Sequence, residues 1–217
     1  MLAAIGRVNR EGSGFCTGTL IAPDRVLTAA HCLWDTRGKR RMPAGRLHFL
    51  AAWRRGTHAG HARAARVEHD PTLRLDASGM PTDPLTDWAV LVLERPLAGP
   101  GLQPLPFAEA ADREKVARGA TLARAGYGPD RPHLPVLVEP CRLLGTGAGG
   151  RMLLHDCDAT DGDAGSPILL RTAGGYRIVA LQTRVTASGA DPVPAALVVG
   201  RERELPETLF QAAPSTR

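Results

Sequence analysis

The stretch Phe15–Cys32, FCTGTLIAPDRVLTAAHC, holds two short apolar runs on either side of a Pro-Asp turn. Phe15–Ile21 and Arg25–Ala30 are too short for ordinary helices and are bounded by turn-forming residues, so they read as two consecutive β-strands. The second run ends at Ala-Ala-His-Cys, which sets His31 directly beside Cys32. A lone His before a Cys is ordinarily a bystander. An imidazole that moves protons has to be held in one orientation, and a covalent anchor next to it is one way to hold it.

The same texture extends outward from this stretch. Short β-rich runs recur at Leu47–Ala52, Trp88–Leu93, Thr121–Ala125, Leu134–Leu144, Met152–His155, Pro167–Leu170 and Tyr176–Thr183, each bounded by Gly, Pro or Asp. The 24 Gly and 18 Pro are spread along the chain, as many strands joined by tight turns require. Glu109–Arg118 is the best helical candidate, and Pro206–Ala212 reads as a terminal turn or short helix. The Pro- and Gly-rich segment Arg95–Gln103 reads as a connector between two halves of similar length. The expected class is all-β, in one peptidase-sized unit over 1–217. A first barrel would cover about 1–100, a second about 104–205, with a short tail after it.

Composition narrows the function classes. With 43% hydrophobic and 23% charged residues, the chain is an ordinary globular sequence and not a disordered one. The formal net charge of +5 comes mostly from Arg, and blocks such as Arg37–Arg41 and Arg54–Arg55 could draw an acidic partner. Solvated loops are the simpler reading, and no basic patch with interleaved aromatics points to nucleic acid. No run of about 18 apolar residues marks a membrane-spanning helix. Nothing in the sequence fixes an oligomeric state.

Cys16, Cys32, Cys141 and Cys157 form two local pairs, which read as two disulfides made in an oxidising compartment. Zinc is the competing use, but there is no CxxC spacing, and His58 and His61 read as surface residues. The N-terminal MLAAIGRVNREG lacks the charged and apolar regions of an export signal. The expectation is a secreted or periplasmic protein whose leader has been trimmed away.

Two further segments point to the chemistry suggested by His31. In Thr86–Leu93, TDWAVLVL, Asp87 leads into an apolar strand, where a partly buried carboxylate needs a partner and a His N–H is a suitable one. Asp158–Pro167, DATDGDAGSP, is Gly-rich, which lets backbone N–H groups turn inward onto a developing oxyanion. Taken together, these three segments resemble the trypsin/chymotrypsin superfamily of serine proteases, in its bacterial trypsin-like and glutamyl-endopeptidase-like branch. The resemblance runs from about Ile5 to Val199, and the order His, Asp, nucleophile matches it and not subtilisins or α/β-hydrolases.

The resemblance implies two packed six-stranded antiparallel β-barrels, with the active site in the cleft between them. It also implies a peptide or protein substrate and no metal or cofactor. By position, His31 is the general base and later acid, Asp87 orients it, and the N–H groups of Gly162 and residue 164 form the oxyanion hole. The family motif reads Gly-Asp-Ser-Gly-Gly-Pro or ends Ser-Gly-Ser-Pro. Here Gly162-Asp163-Ala164-Gly165-Ser166-Pro167 carries alanine at the nucleophile position, with Ser166 at the framework position two residues on. Ala164 is either a Ser→Ala substitution that silences an intact protease or the mark of a natural pseudoprotease that binds peptides. The untouched His31, Asp87 and glycines favour the first.

A Cys16–Cys32 bridge would anchor His31, and a Cys141–Cys157 bridge would anchor the strand before Asp158; the opposite pairing stays open. Six residues before 164, Asp158 stands where the family's pocket base selects Arg or Lys. The competing specificity, cleavage after Glu, would use Thr160 and a downstream His, but Gln182 stands where that His would be. Arg or Lys is therefore the expected preference, with Asp158 as a loop carboxylate the plainer alternative. The N-terminus looks too short to reach Asp163, and Ile5-Gly6-Arg7-Val8 resembles a first barrel strand, so activation by a new N-terminal amine is not expected.

Overall fold

The computed structural model describes residues 2–35, 37–188 and 191–198; the expected terminal turn at Pro206–Ala212 lies outside the described residues. The quoted stretch forms β2 (Phe15–Ala22) and β3 (Arg25–Thr28), preceded by β1 (Ile5–Arg10). A small hairpin of two-residue strands, β4 (Trp34–Asp35) and β5 (Arg40–Arg41), leads to β6 (Leu47–Ala51), β7 (Gly60–His69) and β8 (Ala89–Leu93). Except for the small hairpin, these strands close into a barrel in the order β1-β2-β3-β8-β7-β6. Side-chain alternation explains the inward face. In β6, Leu47, Phe49 and Ala51 are buried while His48 and Leu50 are only partly so. The apolar run of β8 is buried along its whole length. Residues 37–41 and 54–55 are exposed, which fits solvated loops.

The second half opens with α1 (Ala110–Ala117), where Glu109 and Asp112 form a reciprocal capping box. Then follow β9 (Leu122–Gly126), β10 (Val136–Cys141), β11 (Leu143–Gly147), β12 (Met152–His155), β13 (Pro167–Thr172), β14 (Gly175–Ser188) and β15 (Asp191–Val198). They form one antiparallel sheet in the order β10-β9-β13-β14-β15-β12-β11. A second closed six-stranded barrel was expected, and this half differs in a specific way. The run read as one strand from Leu134 to Leu144 is divided at Arg142 into β10 and β11, which lie on the sheet's two edges. The sheet therefore curls until its edges meet through the chain itself and not through a ladder of hydrogen bonds.

The two halves share a core. Phe107, Ala123, Tyr127, Leu169 and Leu181 belong to the same apolar cluster as Ile5, Val8, Phe49 and Leu91. Between them Leu97 and Leu102 are buried in a segment with no helix or strand, and the Leu105 N–H donates to the Leu20 carbonyl at 2.9 Å.

A further join is at Thr17, fully buried in β2. Its hydroxyl accepts the Tyr127 N–H at 2.9 Å, its carbonyl accepts the Thr28 hydroxyl at 2.8 Å, and its N–H donates to the Ala164 carbonyl at 3.0 Å. Thr17→Val keeps the shape but leaves the buried Tyr127 N–H without its acceptor. The expected loss is about 1–3 kcal/mol in urea unfolding, with Thr17→Ser closer to the parent.

Candidate active site

After β3 the chain turns through a single 3-10 turn, Ala30–Leu33, in which Ala30, Cys32 and Leu33 are buried and His31 is not. The imidazole is 17% exposed and Asp87 is wholly buried behind it. Asp87 sits at the end of another 3-10 turn, Pro84–Thr86, which is capped by the Asp83 side chain accepting the Leu85 N–H. Its Oδ1 accepts the His31 backbone N–H at 3.0 Å. The two carboxylate oxygens lie 3.1 and 2.9 Å from His31 Nδ1. A carboxylate only accepts, so this pairing assigns the proton to Nδ1 and leaves the Nε2 lone pair free.

The disulfides are Cys16–Cys32 and Cys141–Cys157, which resolves the pairing. The first packs with Ala29 and Ala164, so the anchor next to His31 also touches residue 164. Ser166, the remaining hydroxyl of the motif, is fully buried, with no partner for its Oγ among the described residues. It therefore belongs to the framework.

The segment before Ala164 is pinned from below. Asp161–Asp163 forms a 3-10 turn containing Gly162, closed by reciprocal bonds between Thr160 and Asp163. The Asp163 carboxylate accepts the Thr160 N–H at 2.8 Å and pairs with the Arg124 guanidinium. Both side chains of that pair are 4% exposed. Arg124 Nε also donates to the Asp158 carbonyl at 2.7 Å. Arg124 thus provides an internal partner for Asp163, independent of the N-terminus. Its place in the run Thr121–Ala125 carries no local signal of this role.

His31, Thr160, Ala164 and Gln182 line one cleft of about 300 Å³, together with Arg184. Asp158 does not line it. Its side chain is exposed and borders a neighbouring hollow of about 290 Å³ with Arg124, Asp130 and Arg131. The reason lies in the backbone: Arg124 holds this segment through the Asp158 carbonyl, and the carboxylate falls outside the cleft. Thr160 borders both spaces.

Gln182 is 2% exposed and engaged at both ends. Its Oε1 accepts from His155 Nε2 and its Nε2 donates to the Arg184 carbonyl, each at 2.8 Å. His155 in turn accepts the Cys157 N–H at 3.2 Å through Nδ1, so the ring is held as the neutral tautomer. Burial pushes its pKa down to about 4, helped by the charge of Arg124 and opposed by the Gln182 hydrogen bond. His155 was read only as the end of a strand; its place two residues before Cys157 was the available hint. His58 and His61 lie apart from the cleft, His58 exposed and His61 stacked on His48 with ring centroids 5.2 Å apart.

A family model described as a trypsin-like peptidase domain matches residues 16–181. Over 98 residues, 45% of the chain, the sequence is 35% identical to coagulation factor XII of Cavia porcellus. That match spans 15% of the relative's own length.

Two measurements probe the site's supports. Arg124→Ala leaves the Asp163 carboxylate buried without its cation, and the expected cost is about 3–5 kcal/mol in chemical denaturation. A change below about 1 kcal/mol would show the pair to be dispensable. For His155 the unfolded imidazole titrates near about 6.5 and the folded one at about 4. Between those values the unfolded chain binds the extra proton, so the stabilisation is complete above the upper value and declines as pH falls towards the lower. His155→Gln, which keeps a donor towards Gln182, is expected to flatten the stability profile across that window.

Proposed function

The chain belongs to the trypsin-like peptidase domain family, a family of serine proteases, and on that footing we propose that it is a serine endopeptidase carrying alanine at its nucleophile position, residue 164. The observation that carries this reading is the contact of His31 with buried Asp87, in a cleft that Ala164 also lines. A serine at 164 would give up its proton to His31 Nε2 as its oxygen attacks the peptide carbonyl. The imidazolium, held by Asp87, would pass that proton to the leaving amine, and water would then hydrolyse the acyl-enzyme. The N–H groups of Gly162 and residue 164 are the proposed donors to the oxyanion. A methyl group cannot take the first step, so the chain as it stands is expected to bind peptides without cleaving them.

Ala164 itself favours a second reading, a natural pseudoprotease that captures peptides or proteins in the same cleft. The surviving His31–Asp87 contact supports the first, because a chain that only binds has no use for an oriented base. Cleavage after Arg or Lys depends on Asp158 reaching the bound residue, and the position of its carboxylate in the neighbouring hollow weakens that support. Cleavage after Glu would draw on Thr160 and Gln182, both on the cleft wall. The two disulfides support a site of action in an oxidising compartment, outside the cell or in a periplasm.

Ala164→Ser is the decisive variant. Against a mixed library of blocked peptides its hydrolysis rate should exceed that of the Ala164 chain by several orders of magnitude, up to about 10⁶-fold. His31→Ala in the same background should remove most of that gain. No hydrolysis of any peptide by Ala164→Ser would favour the pseudoprotease.

A further inference from the structure

The cleft wall contains one feature that the proton-transfer groups do not use. In β14 the pairing with β15 shifts between Gln182, opposite Ala196, and Arg184, opposite Ala195. The register shift leaves Thr183 as an extra residue. In a regular strand alternate side chains point to opposite faces, yet Gln182, Thr183, Arg184 and Val185 all line this cleft. A bulge of this kind turns side chains that alternation would have aimed elsewhere, and bulges recur beside active sites.

Arg184 is the cation this brings to the wall. Its Nε and Nη2 are both buried, and neither has a hydrogen-bond partner among the described residues. Those two nitrogens form a single edge of the guanidinium, the edge that receives a carboxylate through two parallel N–H···O bonds. The group is permanently charged, and leaving its donors buried and unsatisfied is costly. Arg124, which is also buried, meets its requirement through Asp163 and the Asp158 carbonyl. Among the described residues no carboxylate lines the cleft: Asp87 is behind His31 and committed to it, and Asp158 borders the other hollow.

We propose that Arg184 is a specificity-determining residue whose guanidinium takes a carboxylate of the bound peptide. The proposal rests on the reading that this cleft receives peptides, and it names their chemistry: substrates acidic near the bond aligned with residue 164. A glutamate or aspartate side chain and a free C-terminal carboxyl share that chemistry. The same positive wall opposes an Arg or Lys side chain in its reach, the reverse of the preference expected from Asp158.

The test needs no catalysis, because the Ala164 chain can bind without cleaving. Fluorescent hexapeptides would be titrated into it by anisotropy. One series is acetylated and amidated, with a single Glu, Gln or Arg moved through each position; the other lacks Glu and carries a free or an amidated C-terminus. The expected result is that a carboxylate in one series binds on the order of 10- to 100-fold tighter than its amide counterpart. The series in which this occurs identifies the source. Arg184→Gln should abolish the difference and Arg184→Glu should reverse it in favour of the Arg peptides, with thermal unfolding of both variants monitored to establish that they fold. Equal binding of acid and amide, tightest binding of Arg peptides to the unchanged chain, or no peptide binding at all would overturn the proposal. The peptidase reading fails separately. If Ala164→Ser hydrolyses nothing while the Ala164 chain discriminates through Arg184, the specificity proposal survives. If Ala164→Ser cleaves peptides without regard to acidity, only the peptidase reading does.

Discussion

The hydrogen bond from the Thr17 N–H to the Ala164 carbonyl joins the barrel that presents His31 to the loop that presents residue 164. Its formation demands close approach of two backbones, and the neighbouring residues make that possible. Gly165 has a φ of +83°, and a Cβ there would collide with the Thr17 carbonyl oxygen. Gly126, in β9, likewise leaves the space filled by the Ser166 hydroxyl. The motif glycine thus serves the packing of the two halves as much as any turn. Because Cys16 is bonded to Cys32, the strand residue next to Thr17 is tied covalently to the residue after His31. His31 and residue 164 are held to one another through a few short links, and little of that geometry is left to mobile side chains.

Buried charge supplies the rest of the positioning. Asp87 is wholly buried and makes three contacts with His31, one to its backbone and two to its ring. Position and orientation of the imidazole are therefore set by a single carboxylate. On the other side of the cleft, Arg124 and Asp163 bury opposite charges together and recruit Thr160 and the Asp158 carbonyl as additional partners. A buried pair is weak evidence of net stabilisation, since desolvation opposes its attraction. Its value here is geometric, because it fixes the path of residues 158–163 and hence the direction in which the chain arrives at Ala164.

The sequence was most legible where local pattern and packing agree. The strands of the quoted stretch, the helix capped by Glu109 and the buried run after Asp87 all follow from short-range periodicity and turn chemistry. β7 was unread because its buried positions are Ala62 and Ala64, set among arginines, and neither residue type favours a strand. Its neighbours β6 and β8 specify it. β15 was unread because of Pro192 and Pro194. The structure accommodates them where β15 pairs with β14 alone, while pairing with β12 is confined to Ala195–Leu197. In the site, His31, Asp87 and Ala164 were read from their motifs. Arg124 and His155 were not given roles because their partners, Asp163 and Gln182, lie 39 and 27 residues away. At Asp158 counting and packing point different ways: its place in the motif predicts the pocket, whereas its side chain borders the neighbouring hollow and Arg124 holds its carbonyl.

This arrangement separates what the fold requires of residue 164 from what chemistry requires. The fold uses its carbonyl, which accepts from Thr17, and its extended backbone, with φ −52° and ψ 133°. The side chain is needed only to be small, since it lies against the Cys16–Cys32 bridge and Ala29 at 6% exposure. Alanine meets that condition as well as serine and brings no hydroxyl to satisfy. Neither the His31–Asp87 contact nor the Arg124–Asp163 pair involves the side chain at 164, so both can stay assembled without a nucleophile. The intact frame is therefore compatible with the alanine on physical grounds. Between alanine and serine, the identity of residue 164 bears on reaction chemistry alone, and placing a hydroxyl there is what distinguishes a peptidase from a chain that only binds.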